Sequence, residues 1–319
     1  MRVGVHTSIA GGLENAAHRA KEFGCDTFQM FSANPRGWRG KDPTTEECEC
    51  FREVRAAYGL SPLVIHDNYL INLASADSFI REKSIAAFRK ELQRAVALGA
   101  DYLVTHPGSA KNSTAREGIK ACVNSLRQAA SGLKLDGLRI LIENTAGQGS
   151  VIGRTFEELA EILAGTEKDL PMGVCIDTAH SFAAGYAIHT PAGLALALKS
   201  LDSTVGLKNV HVIHANDSKA GFGSNADRHE HIGKGQIGKE GFRRIIRHAK
   251  LSSIPFICET PRDKPEDDRR NLRMMRTLAG GKAIGSQPSA FSKRRVPVIH
   301  AKAGIRLVRG SPALPLARG

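Results

Sequence analysis

None of the six cysteines, at positions 25, 48, 50, 122, 175 and 258, stands in a CxxC pair or in a framework spacing. In a chain of 319 residues this excludes a disulfide scaffold and leaves free thiols in a reducing compartment. Cys175 and Cys258 sit inside apolar runs (MGVCID, PFICET) and read as small core residues. No apolar run reaches the roughly 18 residues that a membrane span requires. The opening MRVGVHTSIAGG has no apolar stretch behind a basic start, so a soluble chain without a secretory signal is expected. No GxGxxG follows the first apolar run, which argues against a dinucleotide-binding open sheet.

What the chain does carry is positive charge, 45 Lys and Arg against 32 Asp and Glu, a net +13. Lys and Arg gain affinity for phosphates by displacing counterions, so a polyanionic partner is a reasonable reading. Residues 282–319 hold eight basic and no acidic residues, and 13 less 8 leaves +5 for the rest. Charge alone therefore hints at nucleic acid without establishing it. The segment after 281, rich in Gly, Pro, Ser and Arg, is expected to be a poorly ordered basic tail.

Before that tail, eight short apolar runs alternate with helix-patterned segments. The runs are RVGVH (2–6), DTFQMF (26–31), PLVIH (62–66), DYLVTH (101–106), RILIE (139–143), MGVCID (172–177), NVHVIH (209–214) and IPFICE (254–259). Each is short enough for a buried strand. Thr155 with Glu158 fits a capping box, and Gly24, Gly99 and Gly165 suit the position just past a helix end. Eight strand–helix units over residues 1–281 predict a single (β/α)8 TIM barrel, followed by the basic extension 282–319. A doubly wound open sheet is the competing architecture.

The informative feature is where these runs stop. Most end on side chains that ligate metals: His6, His66, His106, Glu143, Asp177, His214 and Glu259, with His180 three residues beyond Asp177. In a barrel all C-terminal strand ends meet at one mouth. Any one of these histidines has a bland explanation as a hydrogen-bonded residue, and any one carboxylate as an ion-pair partner. Together they would repel strongly in a dry mouth unless cations sat among them. Imidazole with carboxylate suits Zn2+, and also Mn2+ or Fe2+. Strand period puts His211 and His214 on opposite faces, leaving His211 a structural residue. His18, His189 and His248 fall in helical or connecting segments and are expected at the surface. In ADRHEHIG (226–233), spacing does not separate Asp227, His229 and His231 as ligands.

The stretches FSANPRGW, HDNYLINLAS, THPGS, ILIENTAGQG, CIDTAHSFAAGY, HANDSK, DRHEHIGKGQIG and ICETP occur in one order over residues 1–280. In them the chain resembles the endonuclease IV family of apurinic/apyrimidinic (AP) endonucleases, within the xylose isomerase-like TIM-barrel superfamily. The resemblance implies three Zn2+ per chain, with Mn2+ able to substitute. His66, His106 and Glu143 would hold the first. Glu143 would bridge to a second, held also by Asp177, His214 and Glu259, and the third would sit on His180, Asp227 and His229. Glu143 and Glu259 would act catalytically through the bound metals. Double-stranded DNA containing abasic sites would be gripped by Asn34, Arg36, Trp38, Tyr69 and Arg228, and nicked 5′ to the lesion to leave a 3′-OH and a 5′-deoxyribose phosphate. His231 falls outside the family pattern. Ala33 stands where the family commonly has a basic residue and Ala215 where it has a larger apolar one, neither of them a ligand position. A monomer is implied, in the cytoplasm and, in a bacterium, with the nucleoid.

Two readings compete. A divalent-metal sugar isomerase or epimerase on the same superfamily barrel would use one or two ions and has no need of a third ligand set or of the NPRGW loop. A nucleic-acid-binding barrel with a vestigial site is opposed by the completeness of the ligand set.

Overall fold

A computed structural model describes residues 1–38 and 40–280, and the expected tail at 282–319 lies outside the described residues. The chain alternates strand and helix: β1 (Val3–Thr7), α1 (Glu14–Phe23), β2 (Phe28–Phe31), α2 (Thr45–Ala57), β3 (Leu63–His66), α3 (Ser78–Ala97), β4 (Tyr102–Thr105) and α4 (Ala115–Ala130). It continues with β5 (Arg139–Glu143), α5 (Phe156–Thr166), β6 (Met172–Asp177), α6 (Thr178–Ala183), α7 (Pro191–Thr204) and β7 (Val210–His214). A two-stranded hairpin of β8 (Asp217–Ser218) and β9 (His229–Glu230) precedes α8 (Gly238–Arg247), β10 (Phe256–Cys258) and α9 (Asp267–Ala279). The other eight strands close into a barrel in the order β1-β10-β7-β6-β5-β4-β3-β2, every registered pair parallel. The open-sheet alternative is thereby excluded. Among the described residues no helix is long and apolar enough to cross a membrane.

Helix starts follow their local chemistry. Capping boxes at Thr44–Glu47, Thr114–Glu117 and Thr155–Glu158 satisfy the first free N–H groups of α2, α4 and α5. Gly24 and Gly99 take left-handed φ of 81° and 65° just past α1 and α3, as expected. Gly165 does not end its helix, because α5 continues to Thr166. A Cβ there would stand 2.8 Å from Val123 Cγ2, so glycine serves the close approach of α5 to α4.

The strand period of two splits the core into two layers. Leu63 and Ile65, Leu103, Ile140 and Ile142, Val174 and Phe256 face the helices in one large apolar cluster. Val64, Val104, Leu141, Cys175, Val212 and Ile257 fill the barrel interior in a second. That inner layer decides the site. Two residues beyond each of its six members, on the same face and nearer the mouth, stand His66, His106, Glu143, Asp177, His214 and Glu259.

His211 departs from the expected face. Its ring stacks on Tyr102 at 5.6 Å, beside Gly173 and the inner cluster. A register irregularity between Val174 and Cys175 opposite β7 breaks the strict alternation there. His189 is not a surface residue either. It is half-buried between Phe182 and Phe222, at 5.1 and 5.6 Å.

Candidate metal centre at the barrel mouth

Glu143, at the end of β5 and 1% exposed, is the hub. Its Oε2 lies 3.3 Å from His66 Nε2 and 3.6 Å from His106 Nε2. Its Oε1 lies 2.9 Å from His214 Nδ1 and 3.4 Å from His180 Nδ1. His214 Nδ1 is also 3.2 Å from Glu259 Oε2. Ligand-type atoms within 4.8 Å of one another form the sets His66–His106–Glu143 and Glu143–Asp177–His214–Glu259, sharing Glu143.

A third set joins one barrel-strand end, that of β6, to residues beyond the barrel strands, on α6 and β9. Asp177 caps α6 by accepting the His180 N–H at 2.8 Å, which turns the His180 side chain toward the mouth. His229, on β9, joins His180 and Asp177. Asp227 stands 3.2 Å from Nε2 of both His180 and His229. Asp177 thus faces the second and third sets, whereas the family resemblance implies it for the second only.

Several imidazoles are held by their far nitrogen. His66 Nδ1 faces the carbonyl of Asp67 at 2.9 Å, His180 Nδ1 that of Asn144 at 2.9 Å, and His229 Nδ1 that of Glu259 at 3.1 Å. A ring that donates from Nδ1 to a carbonyl presents the Nε2 lone pair to the site. His180 Nε2 and His229 Nε2 are buried and find no hydrogen-bond partner among the described residues, although a carboxylate oxygen is 3.2 Å from each. Lone pairs converging without hydrogen-bond geometry are what ligands around a cation look like, and the donor set of imidazole and carboxylate suits Zn2+ or Mn2+.

The electrostatics agree. Burial pushes the His66 ring toward the neutral form, but hydrogen bonding and the charge of Glu143 outweigh it and raise it to about 10. Burial likewise opposes, and the charges of Asp177 and Asp227 prevail, in raising His229 to about 9. Glu143 is buried, yet the surrounding histidines hold its carboxyl well below the carboxylate range. Without cations the cluster takes up protons instead, the response of a site short of positive charge.

Asparagines and one aspartate support this arrangement without having a place in the sequence reading. Asn144 Oδ1 accepts the Asp177 N–H at 2.7 Å, and Asn216 bridges the Glu259 N–H (2.7 Å) to Asp177 Oδ2 (2.6 Å). Asp217, fully buried, accepts N–H groups of Ser218, Gly233, Gly235 and Ile237 at 2.9 to 3.0 Å. It thereby moulds GKGQIG, the turn that follows His229. A Cβ on Gly235 would lie 2.4 Å from Ser218 O, which fixes glycine there. Asp217→Ala would leave these donors buried and unpaired, and is expected to cost about 4 kcal/mol. Denaturant unfolding measures it, and a loss under about 1 kcal/mol would refute the anchoring role. The signal available in sequence was position: Asn144 directly follows Glu143, and Asn216 and Asp217 lie two and three residues past His214.

His231 stays apart from the centre. Its Nδ1 meets the Asn271 amide at 3.1 Å and its Nε2 lies 3.8 Å from Asp267 Oδ2. With Asp263 it forms a separate group, but Asp267 is engaged by the N–H of Asp263 and Lys264 and by Arg270 at 2.9 Å.

Around the rim, Asn34, Arg36 and Arg228 are exposed and Trp38 is half-buried. Tyr69 is 68% exposed and packs edge-on against Phe31 at 5.2 Å, itself beside His66. A cavity of about 330 Å3 runs from Tyr69 past Ser109 and Gly147 down to His106, His180 and Asp227.

Residues 17–278 match the family described as xylose isomerase-like TIM barrel. A protein of Solibacter usitatus named "Probable endonuclease 4" is 53% identical over 284 residues, 88% of this chain and 98% of that protein. The crystal structure of endonuclease IV from Thermus thermophilus superposes with a TM-score of 0.77 at 40% identity, over 87% of this chain and 98% of that one. A D-tagatose 3-epimerase-like protein shares the fold at a TM-score of 0.65 and 20% identity, over 87% of this chain and 97% of that one.

Proposed function

The chain belongs to the endonuclease IV family of AP endonucleases, DNA-cleaving hydrolases on a xylose isomerase-like barrel, and from that premise we propose how it chooses and cuts its substrate. The substrate is the abasic site in duplex DNA, cut on its 5′ side to leave a 3′-OH and a 5′-deoxyribose phosphate. The protein acts as a monomer on DNA in the cytoplasm. The observation that carries this reading is the overlap of three ligand sets at one mouth, with Glu143 common to two of them and Asp177 facing two.

Three Zn2+ would be held there, by His66, His106 and Glu143, by Glu143, Asp177, His214 and Glu259, and by His180, His229 and Asp227, the last standing 3.2 Å from both rings beside the third set. Divalent ions bound there would supply Lewis-acid polarisation of the phosphodiester. The chain's own residues do the rest. Glu143, buried, and Glu259, half-buried, would bring the anionic charge that holds the ions close together, and the carbonyl-tethered histidines keep lone pairs aimed inward. The cavity beneath Tyr69 takes the extruded sugar, and unstacking is cheapest where the base is already missing. Asn34, Arg36, Trp38 and Tyr69 would make minor-groove and phosphate contacts, with Arg36 and the side chains around it filling the gap at the lesion and Arg228 meeting the DNA.

An epimerase would need only one or two ions in a closed sugar pocket. The third ligand set and the exposed rim of Arg36, Tyr69 and Arg228 favour DNA. The test is a purified protein offered an abasic duplex and a ketose in parallel, each with and without prolonged chelation. Incision 5′ to the lesion, lost on chelation, is expected. Epimerisation of the ketose with an intact duplex would sink the proposal.

A further inference from the structure

Gln29 is fully buried on β2, where Phe28 and Met30 face the helices and the strand period turns Gln29 into the barrel. Its Oε1 lies 2.8 Å from His214 Nε2. Its Nε2 donates to Glu259 Oε1 and stands 3.0 Å from His6 Nδ1. One carboxamide therefore grips, from behind, two of the four side chains of the Glu143–Asp177–His214–Glu259 set. His214 is the odd histidine of the centre. The carbonyl-held rings offer Nε2 inward, but His214 turns Nδ1 to Glu143 and Glu259.

A neutral primary amide is suited to this place because it carries an acceptor and two donors in one plane. The acceptor takes the Nε2–H of His214, which leaves the Nδ1 lone pair for a cation. One donor engages Oε1 of Glu259, leaving Oε2 facing His214 Nδ1, and the other faces His6 Nδ1. A flipped amide would set its carbonyl against the Glu259 carboxylate and its N–H against the His214 N–H, so the orientation is fixed by its neighbours.

We propose that Gln29 is a positioning residue that selects the His214 tautomer and the Glu259 orientation, and so strengthens binding of one ion without touching it. The proposal rests on the metal reading above, and its test separates the two. Zinc-loaded wild type and Gln29→Met are titrated with a chromophoric chelator. One ion is expected to leave the variant with about 10- to 100-fold weaker affinity while the others follow wild type, the size typical of lost outer hydrogen bonds. Superposed release curves, or equal weakening of every ion, overturn the role. A wild type that holds no zinc overturns the metal reading itself, and with it this proposal.

If Gln29→Met shows no cooperative thermal melt, Gln29→Glu takes its place. A carboxylate still accepts from His214 but offers Glu259 no donor and a like charge. Again one ion is expected to leave about tenfold or more easily, with the others unmoved. A folded Gln29→Glu protein that releases its ions as wild type does overturns the proposal.

Discussion

Glu143→Gln is expected to lower incision of an abasic duplex about 10^3-fold or more while leaving the barrel folded. Glutamine keeps the shape of the side chain, so the inner layer around Leu141 and Cys175 is undisturbed. What goes is the anionic charge between four imidazoles, His66 and His106 beside one oxygen and His180 and His214 beside the other. Losing about 4 kcal/mol of charge stabilisation corresponds to that factor, at 1.36 kcal/mol per tenfold. No other carboxylate in the mouth belongs to both strand-end sets, so none replaces it. Single-turnover incision and a zinc count on the same preparation measure it. Wild-type turnover with a full metal complement would refute the shared role of Glu143.

Acidification is the second large effect. Dialysis from about pH 8 to about pH 5 is expected to empty the centre and abolish incision, with zinc restoring both at the higher pH. The sign follows from the metal-free cluster. His66 is raised to about 10 and His229 to about 9, and His180 and His214 are raised as well. At neutral pH His66 and His229 carry protons when no cation is present, and an ion binding there must displace them. Binding therefore releases protons, and affinity falls as pH falls. Calorimetry in two buffers of different ionisation heat reads the protons released. Zinc content independent of pH between those limits would contradict the displacement.

Much of this was legible in the amino-acid order. All eight strands could be placed within two residues, since each is a short apolar run bounded by helix patterning. The ligand-type side chains gathered at six strand ends were legible for the same reason, because a period of two carries each inner apolar residue to a polar one nearer the mouth. Gln29 is turned inward by the same rule in FQMF, but a carboxamide is not a metal-ligand type and only its contacts with His214 and Glu259 join it to the centre. His211 and Gly165 were misread because a bulge in the ladder and a close helix contact are decided by neighbouring elements rather than by local pattern.

The sequence by itself determined the barrel, its inner layer and the identity of the side chains crowding the mouth, because periodicity and strand-end position are local properties. Only the tertiary structure decided how those side chains share the space. It made Glu143 the common member of two sets, turned Asp177 toward the third, set His214 Nδ1-inward on Gln29, and moved His231 away to Asn271. These outcomes depend on distances between residues up to 185 positions apart, such as Gln29 and His214. Closure of the barrel sets such distances, and the order of residues along a strand does not carry them.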